Sequence, residues 1–140
     1  IYTEDSVPFV MDQATVLQEG AEVLLVACGE MVRSAKSAGE QLAQIGHPTT
    51  VLDMYCVKPL DKASIVRYAQ GAKLVVTVEE HSLFGGLGSM VAQVVGAECP
   101  KRVINLALPD TPVITGTSQD VFDYYGLNTE GIVNTVMKGL

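Results

Sequence analysis

Residues 72–89 read AKLVVTVEEHSLFGGLGS. The stretch opens on a nearly continuous apolar run, Ala72 to Val78, of the kind that forms a strand buried on both faces. Three polar residues follow, Glu79, Glu80 and His81. The glycine-rich turn Gly85-Gly86-Leu87-Gly88-Ser89 then opens a helix whose apolar side carries Met90, Val91, Val94 and Val95. A buried strand that feeds a helix through a tight turn is the unit from which parallel sheets are assembled.

The same grammar extends in both directions. Toward the N-terminus, Ala21 to Cys28 is a second buried run closed by Gly29. Met31, Ala35, Ala38, Leu42 and Ile45 recur at steps of three and four, the apolar stripe of a helix that Gly46 can end. Thr49 to Tyr55 reads as a strand, and Asp61 as the N-cap of a helix through about Gln70. Gln13 to Gln18 reads as a short strand before the turn at Glu19-Gly20, and residues 1–12, with Glu4, Asp5, Pro8 and Asp12, as an extended lead-in or linker. Toward the C-terminus, Arg102 to Leu108 is the last strand and Thr111 to Thr117 a loop. Ser118 is placed to cap a helix ending at Gly126, and Thr129 to cap a final helix striped by Ile132, Val133, Val136, Met137 and Leu140. Strands alternate with helices, so the pattern predicts an α/β fold: a largely parallel sheet with helices on both faces and right-handed crossovers. One domain is expected over residues 13–140.

Composition narrows the partners. The 140 residues are 48% hydrophobic and only 18% charged, enough apolar material for a sizeable core and a modest charged surface. The net charge of −7, with no basic run, repels phosphate backbones and argues against nucleic acid as a partner. No apolar run reaches the roughly 18 residues that a membrane-spanning helix requires. Cys28, Cys56 and Cys99 are odd in number and lack CxxC spacing, which fits a reduced, cytoplasmic setting better than a disulfide framework. The chain opens on Ile1 rather than Met, as an expressed fragment or a processed piece would.

The strand end at Glu79-Glu80-His81 is the place to look for chemistry, because ligands of open α/β sheets gather at the carboxyl ends of strands. His81 has the chemistry to bind a phosphate, to move a proton, or to hydrogen-bond across a domain interface. Its competing role is only to orient the next turn. Adjacent residues on a strand face opposite ways, so Glu79 and Glu80 do not form a catalytic carboxylate pair and read better as caps or salt-bridge partners. The glycine cluster could cradle an anion at a helix N-terminus. It is not GxGxxG, since Val91 stands at the last glycine position, and no Gly-Lys-Ser/Thr follows. Close strand-to-helix packing explains it more simply. Ser82 and Ser89 lack the G-x-S-x-G elbow, and the histidines and cysteines show no metal-ligand spacing. His47, before Pro48, is expected to face solvent. Asp53, inside an apolar strand, needs a buried partner unless a strand end or an interface contact accommodates it.

Taken in order, Val57-Lys58-Pro59-Leu60-Asp61, Val75 to His81, Gly85-Gly86-Leu87-Gly88-Ser89, Leu108-Pro109-Asp110 with Gly116-Thr117, and Tyr125-Gly126-Leu127 form a series. The series resembles the C-terminal domain of the transketolase superfamily over about residues 13–140. The lead-in Ile1 to Asp5 and the Glu79-Glu80-His81 triplet look most like split transketolases, in which a C-terminal subunit carries this domain after a pyrimidine-binding one. Deoxyxylulose-phosphate synthase shares the Lys-Pro-Leu-Asp and Gly-Gly-x-Gly-Ser pieces but usually has asparagine where this chain has His81.

The resemblance implies a three-layer α/β/α domain on a five-stranded mixed sheet, four strands parallel and one antiparallel edge strand matched by Gln13 to Gln18. It implies a parent enzyme that moves a two-carbon ketol unit between sugar phosphates with thiamine diphosphate and magnesium, in the pentose phosphate pathway. In the family that cofactor is held by the pyrimidine- and diphosphate-binding domains at their dimer interface, and its binding motifs have no counterpart here. The implied role is a non-catalytic assembly domain that packs on those partner domains within a homodimer or larger assembly. No catalytic, cofactor or metal residue is assigned to it. Glu80, His81, Gly85 and Gly86 are the candidates for the surface facing the other domains or the substrate cleft. A free-standing small-ligand or regulatory module remains the rival reading, since fold does not fix function.

Overall fold

A computed structural model describes residues 1–3, 5, 6 and 9–140 of the chain. Five strands form one sheet: β1 (Thr15–Gln18), β2 (Val23–Ala27), β3 (Thr49–Asp53), β4 (Leu74–Ser82) and β5 (Val103–Leu108), in the order β1-β3-β2-β4-β5. Three pairings are parallel and the β1–β3 pairing is antiparallel, so β1 is the antiparallel edge strand that the resemblance implied. Five helices complete the described residues: α1 (Met31–Gln44), α2 (Lys62–Gly71), α3 (Leu87–Glu98), α4 (Ser118–Tyr125) and α5 (Thr129–Gly139).

Strand alternation builds the three layers. Val23, Leu25 and Ala27 of β2 face one core with α1 and α5, and Leu24 and Val26 face a second core with α2 and α3. All five residues of β2 are fully buried, as the apolar run at 21–28 requires.

The strand order places β2 between β3, its successor in the chain, and β4, which returns on the far side. The chain therefore reverses its direction of winding between β2 and β4, and the crevice at their carboxyl ends is the switch point of this sheet.

Local details correct parts of the sequence reading. β4 is longer than the apolar run, continuing through Glu79-Glu80-His81 to Ser82. The N-cap of α4 is Thr117, in a reciprocal capping box with Asp120, rather than Ser118. Asn128, whose side chain accepts from the Gly131 N–H, caps α5 in place of Thr129. Gly126 does end α4, in the left-handed conformation at φ 70°.

His47 does not simply face solvent. Its Nδ1 lies 2.8 Å from Glu22 Oε2, and Glu22 also pairs with Lys73 at 2.7 Å. The bonds from Lys73 and His47 hold the Glu22 carboxyl below its ordinary range.

Phe9 and Val10 of the lead-in reach Tyr55, just past the end of β3. Phe9 packs edge-on against Tyr55 with centroids 4.7 Å apart, and the Val10 N–H donates to the Tyr55 hydroxyl at 3.0 Å. Glu4 and Pro8, read as part of that lead-in, lie outside the described residues.

Candidate functional site

The Glu79-Glu80-His81 triplet occupies a bulge. Val78 pairs with Leu106 and Ser82 with Leu108, so β4 spends four steps where β5 spends two. Such bulges leave residues out of the ladder and re-aim their side chains. Here the two glutamates turn to opposite sides of the sheet, and each meets the start of a helix.

Glu79 turns toward α3. It is 1% exposed, and its Oε2 accepts from the Gly88 N–H at 2.6 Å, in the first turn of that helix. The glycine cluster makes the room. A Cβ on Gly86 would stand 1.7 Å from Glu79 Oε1, and one on Gly88 would stand 2.7 Å from the Asn105 side chain and 2.8 Å from Thr77 Oγ1. The turn is thus packed for a carboxylate that the chain itself supplies.

Glu80 turns toward α1. Its Oε2 accepts from the Glu30 N–H at 3.1 Å, at the residue before α1. The preceding Gly29 is left-handed at φ 60°, and a Cβ there would lie 3.0 Å from Glu80 Oε1.

Both helices that start at the switch point are therefore met by glutamates of β4. A helix N-terminus attracts anions through free N–H groups and the positive end of its dipole. Here those positions are taken. A third carboxylate, Asp53, stands at the end of β3 beside Ala27 of β2, and the hydroxyl of Tyr2 donates to it. Burial pushes the Asp53 carboxyl above its usual range despite that bond. Burial, with Glu79, Glu80 and Asp53 nearby, pushes the Cys28 thiol up to about 12, so this cysteine is not a nucleophile at neutral pH.

The fold places the four residues singled out from the sequence at one lip, in different environments. Glu80 is half-buried against the start of α1, and His81 projects outward with its side chain 59% exposed. Gly85 is left-handed at φ 85° with open space around it, whereas Gly86 lies over Glu79. A cleft of about 450 Å³ beside His81 is lined by Ser82, Leu108 and residues 109–113. A larger groove of about 1070 Å³ lies elsewhere, between α2 and α3, with Val66, Met90 and Val94 below and Lys58, Lys62 and Arg67 on its walls. None of the four candidates lines it.

Asp53, which the sequence marks as needing a partner or a strand end, has both: it ends β3 and accepts from Tyr2. One contributor escaped the sequence reading, Glu30, whose backbone N–H no side-chain pattern marks. The signal for Glu79 was present, as a carboxylate shortly ahead of a glycine pair that leaves room for it.

A five-stranded α/β/α sandwich with one antiparallel edge strand and an acidic switch point defines the class of domain. The chain belongs to the transketolase C-terminal domain family, whose model matches residues 12–132. It is 38% identical to one of the subunits of the apulose-4-phosphate transketolase of Phocaeicola vulgatus, over 99% of this chain and 44% of that protein. It is also 38% identical to 1-deoxy-D-xylulose-5-phosphate synthase of a Synechococcus strain, over 92% of this chain and 20% of that one. Among solved structures it matches a split-gene transketolase in an inactive beta4 tetramer, with a TM-score of 0.88 and 37% identity over 98% of this chain and 45% of that one. The chain therefore spans less than half the length of each of these relatives. No helix among the described residues is long and apolar enough to cross a membrane.

Proposed function

We propose that this chain is the C-terminal assembly domain of a split-type transketolase whose other domains bind thiamine diphosphate and magnesium and carry out two-carbon ketol transfer. The observation that carries the reading is the plugged switch point. A diphosphate laid at either helix start would meet a fixed carboxylate at contact distance. Each such pair of charges costs about 1 kcal/mol in water and about 4 kcal/mol near a protein surface. The carboxylates at these helix starts do not fit the cofactor's diphosphate, and in this reading the chemistry belongs to the partner domains.

In this reading Glu80, His81, Gly85 and Gly86 lie on the face toward those domains. Phe84, Val113 and Tyr124, 68%, 45% and 68% exposed, add apolar area on the neighbouring segments. The solved split-gene relative, inactive as a tetramer of one kind of subunit, supports a division of labour between subunits. The test is ketol transfer between sugar phosphates, assayed with this chain alone and with its parent subunits combined. Turnover is expected only from the combination, and turnover by the chain alone would overturn the proposal.

A second reading, the C-terminal domain of a deoxyxylulose-phosphate synthase, is favoured by the 38% identity to that enzyme. It predicts that the parent enzyme makes 1-deoxy-D-xylulose 5-phosphate, which product analysis distinguishes from the sugar phosphates of ketol transfer.

A further inference from the structure

Glu79 has one oxygen accounted for and one not. Oε2 holds the Gly88 N–H, but Oε1 is buried with no hydrogen-bond partner. Burying a carboxylate oxygen without a donor is costly, and native proteins almost always supply one. The nearest ring nitrogen is His81 Nδ1, at 3.7 Å. That separation is too long for a hydrogen bond, but a movement of about one ångström by the exposed imidazole closes it.

We infer that Glu79 is a positioning residue for His81: its free oxygen accepts the Nδ1–H, fixes that tautomer, and leaves Nε2 as a bare acceptor facing outward. A carboxylate on one ring nitrogen sets the protonation of the other. The lip then presents the Nε2 lone pair next in the chain to the carboxylate of Glu80. Such a surface takes a hydrogen-bond donor, an arginine, lysine or backbone N–H of a neighbouring protein domain. It does not take a phosphate. The functional consequence rests on the reading of this lip as the interdomain face; the tautomer does not.

The chain contains two histidines, so long-range nitrogen–proton correlation NMR of the full chain resolves both rings. The spectrum is recorded at about pH 8, well above the ordinary histidine value of about 6.5. His47, held on Glu22 through Nδ1 at 2.8 Å, is the internal reference for a carboxylate-bound Nδ1–H. His81 is expected to match it, with the Nδ1–H form at least about tenfold in excess, the ratio one charge-assisted hydrogen bond imposes. Glu79→Gln places an amide where Oε1 stands, so it should invert the preference to Nε2–H, while Glu80→Gln should leave it unchanged. Added inorganic phosphate should give no saturable shift at His81. A free-histidine pattern in the unmodified chain, predominantly Nε2–H, overturns the inference even if Glu79→Gln fails to fold, and a saturable phosphate response overturns the donor-seeking lip. Ketol turnover by the chain alone would instead sink the assembly reading and leave the tautomer standing.

Discussion

Substituting Gly86 by alanine isolates the contact on which the acidic lip depends. Gly86 has a negative φ of −92°, so an alanine meets no left-handed backbone penalty there. What it meets is Glu79 Oε1, 1.7 Å from the new Cβ, with the carboxyl carbon at 2.8 Å. The carboxylate must move, and moving it breaks the 2.6 Å bond from the Gly88 N–H. Loss of a hydrogen bond to a buried charge costs about 1.5–3 kcal/mol, and overpacking a filled site adds about 1–3 kcal/mol. A total of about 2.5–6 kcal/mol is a large share of the roughly 5–15 kcal/mol that stabilises a domain. Urea titration followed by circular dichroism measures it directly. Gly85→Ala is the control: no atom lies within 4 Å of its new Cβ, and only the left-handed backbone, φ 85°, opposes it, at about 1 kcal/mol. The sharper test is a double-mutant cycle with Glu79→Ala, which removes the obstructing group, so that Gly86→Ala should then cost far less. Strict additivity, or a Gly86→Ala cost no larger than that of Gly85→Ala, would refute the reasoning.

Three further outcomes follow from the same geometry. Asp61→Ala should lower stability by about 1 kcal/mol, because its carboxylate caps α2 through the Ser64 N–H and also holds the Ala14 N–H; equilibrium unfolding checks it. Burial raises the Asp61 carboxyl, but the Ser64 and Ala14 bonds outweigh it and leave the group below its ordinary value. Its contribution is therefore complete above the unfolded-state value of about 4 and is lost as pH falls through the lower folded value, so the penalty of Asp61→Ala should shrink in acid unfolding curves. Cys28 should resist alkylation in the native protein at about pH 8 and react only after denaturation, whereas the half-buried Cys56 and Cys99 should label first; peptide mapping distinguishes them.

The layers of this fold were written in its hydrophobic periodicity. The runs at 21–28 and 72–78 are typical of strands buried on both faces, and the step pattern from Met31 to Leu42 is that of a helix lying on them; β2, β4 and α1 are where those runs fall. Gln13 to Gln18 reads as a strand from the residues, but its antiparallel edge placement came from the resemblance, since four residues of mixed burial carry no signal of direction. Caps at Thr117 and Asn128 were misplaced by one residue because neighbouring hydroxyl and amide side chains compete for the same role. The solvent-facing expectation for His47 failed because Glu22, far away in sequence, is brought beside it by the pairing of β2 with β3.

The strand end was legible as a location, and the arrangement of its side chains was not. Residue types at Glu79-Glu80-His81 marked the strand end, and alternation sent the two glutamates to opposite faces. That each would reach a helix start depends on the bulge, which lengthens β4 by two residues relative to β5, and on the glycines at 29 and 86. Neither the bulge nor the approach of Asp53 has a period or a motif that a linear reading can catch.

The central claim is that Glu79 and Glu80 close the anion positions of this sheet, so that the cofactor is held by other domains. Isothermal titration of the chain with thiamine diphosphate and magnesium tests it most directly. The account predicts only heats of dilution up to millimolar cofactor. A saturable isotherm with micromolar affinity, abolished by changing the residues at this lip, would contradict it.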